Sequence, residues 1–251
     1  MTLAEPIKHI LLLTATITPD NAPLLARTDP TARLKDYQNA LGFYLNLIDR
    51  PLCGVVFVEN SDSDVTSLCE LVAARGLENR VEFLCNYGVY RYTEKGRAYG
   101  EFKLLDYAMT ASRMVREAGN AHVIWKVTGR YIVKNLRSVI AGAPSDFDAY
   151  VDMKNHPMRW MDMRLMAWTA EGYDRLFRGI ADDLDDKIDE TVMRDCLPTR
   201  AQGARLVPRF RQEPFVDGIR GLDNRNYSKG RNLIKFYVRS AGRFLAPWYW
   251  I

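Results

Sequence analysis

A chain of 251 residues that is 47% hydrophobic, 26% charged and 11% aromatic can bury a sizeable core and is not a disordered composition. Its net charge of +4 is uneven: residues 201–251 hold ten Lys/Arg against three Asp/Glu, a local +7 that leaves −3 for the rest, so the tail calls for an anionic partner such as lipid, phosphate or nucleic acid. The four cysteines form no CxxC pair and the three histidines lack ligand spacing, which argues against a zinc site and for a reducing, cytoplasmic setting; the longest early apolar run, ILLLTATI, is too short to span a bilayer.

His9–Thr16 reads as a strand buried on both faces. Residues 30–49 carry Leu34, Tyr37, Leu41, Tyr44, Leu45 and Ile48 at helical spacing, with Asp29 or Thr28 as cap and Pro30 at the first position. Cys53–Glu59 is a second strand, Asn60–Asp64 a polar turn, Val65–Arg75 a helix stopped by Gly76, and Val81–Cys85 a third strand. Gly100–Ala118 reads as one helix and Ala121–Lys126 as a fourth strand. This alternation predicts an α/β fold with a mainly parallel sheet flanked by helices. Beyond residue 145, SDFDAYVDM reads as a strand, RWMDMRLMAWT as a strand or buried turn, and Glu171–Ile180 and Lys187–Cys196 as helices. Residues 1–200 are expected to form the main domain, and the basic, aromatic 201–251 an extension packed on it or on a membrane surface.

Ligands of such a sheet lie beyond the carboxyl ends of its strands. No GxGxxG follows the first strand, and no Walker motif appears. The fourth strand instead ends in IWKVTGRYIVKN, residues 124–135, which sets Lys126, Thr128, Gly129, Arg130 and Tyr131 within six positions. Two cations, a hydroxyl and a glycine suit a diphosphate: arginine offers a planar fork, lysine a point charge, and glycine close backbone approach. The structural alternative is that Lys126 and Arg130 are solvated or pair with Asp146 or Asp148.

VTGRY after a strand resembles the K-x-TGRY element of bacterial polysaccharide glycosyltransferases with a GT-A-like core, which build capsules and O-antigens. RLKDYQNALGFYL is similar to that group's first helix, VVFVENSDSD to its second strand and acidic turn, and YGEFKLLDYAM to its G-E-x-x-L helix. MDMRLMAWT is similar to its D-x-R strand, and PFVDGIRG to a degraded form of its late glycine-serine loop. The matches run from about residue 9 to residue 227.

The resemblance implies a sugar-nucleotide donor, a glycan or lipid-linked glycan acceptor, and a place in cell-surface polysaccharide synthesis. Common GT-A enzymes hold a divalent metal with an Asp-x-Asp where this chain has Lys-Val-Thr-Gly-Arg, so cations are expected to replace the metal and no cofactor is expected. Asp62/Asp64 and Asp146/Asp148 read as turn residues and caps. Thr14 at the end of the first strand is a candidate nucleotide contact. Arg33 sits beside a helix start, where a cation is unfavourable, and so is a candidate phosphate ligand. Glu59, Asn60 and Asp62 are implied contacts of base or ribose. Gly100 and Glu101 begin a helix, where Glu101 either complements the helix dipole or recognises sugar.

An inverting transferase needs a carboxylate base. Asp162 lies in the apolar stretch WMDMRL with Arg164 two residues on; burial would raise its pKa, and the pairing would lower it. Glu190, at the start of a late helix, is the second candidate, with a dipole partner as its structural reading. Leu233, Phe236, Tyr237 and Ser240 fall at helical spacing with Arg231, Lys235, Arg239 and Arg243 between them. Residues 228–251 therefore suit an anionic membrane surface, consistent with a cytoplasmic protein peripheral to the inner membrane, or a helix packed on the body. Competing readings are a noncatalytic nucleic-acid-binding protein using the tail, disfavoured by the acidic body and the lack of a recognition motif, and a nonenzymatic subunit of a polysaccharide-assembly complex.

Overall fold

The computed structural model describes residues 8–19, 25–85, 97–184 and 189–251. Strands β1 (Lys8–Ala15), β2 (Leu52–Glu59), β3 (Val81–Cys85) and β4 (His122–Thr128) are parallel neighbours in the order β3-β2-β1-β4. Strand β7 (Trp160–Thr169) runs antiparallel beside β4, with Val127 opposite Leu165. It is followed by β6 (Ala149–Lys154) and, at the far edge, the two-residue β8 (Leu206–Val207), giving seven strands. The chain is thus of the α/β class with a mixed, mainly parallel sheet, as the alternation predicts. The reversal of β7 brings its amino end, with Asp162 and Arg164, to the same edge as the carboxyl ends of β1 and β4.

The apolar run in β1 is buried on both faces because helices cover both sides. Leu11, Leu13, Val55, Phe57, Trp125 and Val127 pack toward α1 (Pro30–Leu45) and α2 (Thr66–Ala73). Ile10, Leu12, Val56, Val58 and Ile124 face the opposite layer, whose helices include α3 (Arg97–Ala111), α6 (Ala170–Leu176) and α8 (Glu190–Arg200). Asp29 caps α1, accepting from Thr31 N at 3.0 Å, and Pro30 follows it.

The helix expected over 100–118 is two helices. Ser112 ends α3 and caps α4 (Arg113–Ala118), accepting from Val115 N at 3.1 Å while its hydroxyl donates to Glu82 at 2.6 Å. Because α3 already includes Arg97, Glu101 lies a full turn inside it. The late helix expected from Lys187 begins at Glu190; part of that expectation falls on 185–188, outside the described residues. Two short helices, α5 (Leu136–Ala141) and α7 (Ile180–Asp183), complete the layers.

The last fifth of the chain is woven into the body. β8 joins the sheet, β9 (Val216–Asp217) pairs with β5 (Ile132–Val133), and α9 (Arg231–Leu245) docks through a buried charge cluster. Arg243 Nη2 donates to both Asp152 oxygens at 2.7 Å, and its Nε donates to Glu213 Oε2 at 2.8 Å. Lys154 Nζ lies 2.7 Å from Asp152 and 3.3 Å from Glu213. Each charge alone would be costly to bury; two cations and two carboxylates together balance.

Candidate functional site

Two groups of side chains stand at the carboxyl edge of the sheet. The first surrounds Lys126, which is fully buried. Its ammonium donates to Met163 O at 2.6 Å and Thr128 Oγ1 at 3.2 Å, and lies 2.5 Å from Glu101 Oε1. Thr14 Oγ1 donates to the same carboxylate oxygen at 3.1 Å, and Thr128 Oγ1 reaches it at 3.4 Å. An ammonium has three donors, and these three neighbours occupy them. Lys126 thus faces Glu101 rather than open solvent, and Glu101 serves as its counter-ion, not as a dipole partner at a helix start. The arrangement fixes one carboxylate, still partly exposed, beside the ends of β1 and β4.

The second group is built on Arg130 and Tyr131. Arg130 Nη1 donates to Ile219 O at 2.9 Å and Nη2 to the Tyr131 hydroxyl at 3.0 Å. Gly218 has φ 138, and a Cβ there would lie 2.8 Å from Tyr131 Cδ1, so only glycine lets the 217–221 loop close on the ring. Tyr131 meets Tyr227 edge-on at 5.1 Å, and the Arg164 and Arg220 guanidiniums lie 4.4 and 5.7 Å from the Tyr227 ring. Burial chiefly pushes the Tyr227 phenol up to about 12. The late loop and the VTGRY segment, which the sequence resemblance pairs with one family, are therefore in contact.

Arg33 is buried at the start of α1 and turns back to β1. It donates to Thr16 O at 2.9 Å, Ile17 O at 3.2 Å and Arg27 O at 3.1 Å. Burial, with the Arg130 charge nearby, pulls its pKa below the ordinary value. Neither Arg33 nor Arg130 has a carboxylate within ion-pair distance among the described residues. Among the described residues both guanidiniums are hydrogen-bonded to carbonyls and tyrosine hydroxyls rather than to carboxylates.

Asp162 and Arg164 form a two-pronged pair: Arg164 Nε donates to Oδ1 at 2.8 Å, its backbone N to the same oxygen at 3.0 Å, and Nη2 to Oδ2. Burial alone would raise the Asp162 pKa, but the Arg164 charge and hydrogen bonds outweigh it and hold the carboxyl at about 2. Of the two directions open to this residue in the sequence, the pairing prevails, and it leaves Asp162 a weak base.

The other candidates have local occupations. Gly129 donates its backbone N–H to Thr14 O at 2.9 Å, and a Cβ would lie 2.8 Å from that oxygen, so the glycine accommodates β1. Glu59 is buried and accepts from Ile17 N at 3.0 Å and Ser61 N at 2.8 Å, shaping the loop after β2. Asn60 accepts from Thr16 Oγ1 at 2.7 Å. Asp62 is exposed at a turn, with φ 56. Gly100 lies in the first turn of α3. Glu190 is exposed in the first turn of α8. Asp64 accepts from Thr66 N at 2.8 Å, a local turn contact, whereas Asp148 accepts from Arg205 N at 2.7 Å and Asp146 pairs with the Arg205 side chain, so the second pair ties its loop to a distant segment rather than serving as turn or cap. Among the described residues no group of three or more His, Cys, Asp or Glu side chains is placed to hold a metal ion.

Sequence reasoning missed the Asp152–Lys154–Glu213–Arg243 cluster. Its only signal is AYVDMK, an Asp and a Lys two apart in an otherwise apolar strand. The sequence left open whether the tail packs on the body or on a membrane surface; the helix lies against the body through Arg243, which is buried, and Arg239, which is half-buried near Glu213.

No known protein-family model matches the chain, and no curated protein matches it. Among solved structures it is similar to a cytidylyltransferase from Leptospira borgpetersenii, at 10% identity over 81% of this chain and 76% of that one, with a TM-score of 0.44. It is similar to the galactosyltransferase LgtC at 7% identity over 80% and 72%, with a TM-score of 0.47. The glycosyltransferase GlyE of Streptococcus pneumoniae matches at 7% over 76% and 43%, with a TM-score of 0.43. Glycosyl-transferring and nucleotidyl-transferring enzymes both occur among these structures. No helix among the described residues is long and apolar enough to cross a membrane.

Proposed function

We propose that this protein is a glycosyltransferase that moves a sugar from a nucleotide-sugar donor to a glycan or lipid-linked glycan in cell-surface polysaccharide synthesis, without a divalent metal. The observation that carries the reading is the pair of buried guanidiniums, Arg33 and Arg130, with no carboxylate partner among the described residues at the carboxyl edge of the sheet. A diphosphate supplies the charge they lack, and arginine offers the planar fork its oxygens accept. Leaving-group charge is then stabilised by fixed cations. Glu101, held by Lys126, Thr14 and Thr128, is the carboxylate that meets donor hydroxyls. Asp162 remains the candidate base, drawn into service when the donor's phosphates compete for Arg164; Glu190 is the second candidate.

The test is thermal stabilisation by a panel of nucleoside diphosphates and their sugars, with and without EDTA. A selective shift that survives EDTA is the expected result. No shift with any nucleotide overturns the donor-site reading, and transfer activity abolished by EDTA and restored by manganese overturns the metal-free part. Nucleotide binding without product from any glycan acceptor would favour a nonenzymatic assembly subunit.

A further inference from the structure

Helix α9 is mounted inside out. A surface helix of a soluble protein turns its apolar stripe to the core and its charges to water. Here the side that meets the body carries Arg243, buried among Asp152 and Glu213, and Arg239, 3.8 Å from Glu213. The opposite side carries Ile234, Tyr237, Val238, Phe244 and Leu245, which are 63%, 62%, 54%, 86% and 72% exposed, and Trp248 beyond the helix is 78% exposed. Offsets of three, four, seven and eleven residues among the helical positions set them on one face. The helix is held in this attitude from both ends: Phe236 stacks on Phe215 at 4.5 Å, and past the helix Tyr249 stacks on His156 at 4.3 Å while Asn155 N donates to Trp250 O at 2.8 Å.

We propose that this face lies in the interface of an anionic lipid bilayer, with the apolar stripe immersed and the polar side fastened to the protein. The charge of the segment selects the occupant. Residues 224–251 hold six Lys/Arg and no Asp/Glu. Two of the six, Arg239 and Arg243, are taken up against the body, while Lys229, Arg231 and Lys235 are exposed at and before the amino end of the helix. A second copy of the chain docked on this face would meet the same cations and no carboxylate from the helix; anionic headgroups are opposite in sign to them. The exposed Trp248 suits the headgroup level. This inference rests on the helix alone and holds whatever reaction the crevice performs.

The experiment is co-sedimentation of the full chain with vesicles of phosphatidylcholine alone, and of phosphatidylcholine containing roughly one-third phosphatidylglycerol. Wild type is expected to pellet with the anionic vesicles and to be released by salt. Phe244→Glu/Leu245→Glu is expected to lower partitioning at least about tenfold, and Arg231→Glu/Lys235→Glu to abolish the preference for phosphatidylglycerol. Melting temperatures should be unchanged, because these side chains lie on the outer face. Equal pelleting of wild type and both variants, or no pelleting of wild type, overturns the proposal. So does a wild-type dimer that Phe244→Glu/Leu245→Glu converts to monomer without vesicle binding. Nucleotide-induced thermal shifts of the same variants read the donor site separately, so a failure on vesicles is distinct from a failure of the glycosyl-transfer reading.

Discussion

Lys126 Nζ stands 2.5 Å from Glu101 Oε1, joining the fourth strand to the third helix across the mouth of the sheet. The ammonium is wholly out of water, so the carboxylate is what permits its charge. Glu101→Gln strands that charge and is expected to destabilise the fold by about 3 kcal/mol. Glu101→Leu combined with Lys126→Met should recover most of the loss while failing to bind donor. Urea unfolding of the three proteins checks this; an unchanged midpoint for Glu101→Gln would remove the pair from the account.

Asp162 carries a pH signature with a defined sign. Its folded pKa, about 2, lies below the ordinary carboxylate value, so the folded state binds the proton less readily than the unfolded chain. The stabilisation is fully present above about pH 4 and is lost as pH falls through the folded value; its size is about 2 kcal/mol. Asp162→Asn should lose this component of the acid dependence. The same variant tests the catalytic role, since near-normal turnover by Asp162→Asn would show that the base is elsewhere and turn attention to Glu190.

Arg130 joins the proposed diphosphate site to a loop contact, and two substitutions separate the roles. Arg130→Lys keeps the charge but loses the fork that reaches both Ile219 O and the Tyr131 hydroxyl. Arg130→Gln loses the charge. Nucleoside-diphosphate affinity measured by calorimetry is expected to fall about tenfold or more for Arg130→Gln, corresponding to a charge-assisted hydrogen bond of about 1.5–3 kcal/mol, and less for Arg130→Lys. Equal affinities for all three proteins would detach the diphosphate from this residue.

The outline of the fold was legible because its signals are local. A run such as ILLLTA buried on two faces, Pro30 after Asp29, and apolar residues every three or four positions each report on their own neighbourhood. The candidate site was legible as a set of strand-end residues but not as a set of partners. Nothing in the order of residues says that Lys126 faces Glu101, or that Gly129 makes room for Thr14 O rather than for a ligand. Arg33 was marked by its awkward place at a helix start; the three carbonyls it serves lie in two other segments. The break at Ser112 escaped because its serine fits a helix interior and a cap equally well, and only Glu82, from β3, decides. The attitude of α9 was hidden for the same reason, since amphipathicity states that there are two faces and not which one the body takes.

Arg243→Leu tests the fastening of that helix. It leaves Asp152 and Glu213 buried with Lys154 and the more distant Arg239 as their remaining cations, at an expected loss of about 3 kcal/mol. Limited proteolysis should then cut within residues 229–251 before the rest of the chain. If the variant resists cleavage like wild type, the helix is held without Arg243, by the Phe236 and Tyr249 ring contacts, Arg239 and the Trp250 carbonyl.

The contact between Arg130 and the carbonyl of Ile219 also sets an order of events. The two residues are separated by most of a hundred positions, and the short ladder of β5 with β9 closes the same gap. During synthesis the parallel strands and their helices emerge first, with Arg130 and its neighbour Tyr131 among them and the Ile219 acceptor not yet made. The 217–221 loop follows only when the chain is nearly finished. A ribosome halted before residue 216 would carry most of the sheet but neither the Ile219 acceptor nor the β9 partner of β5, so the surroundings of Arg130 are completed after the architecture that displays them.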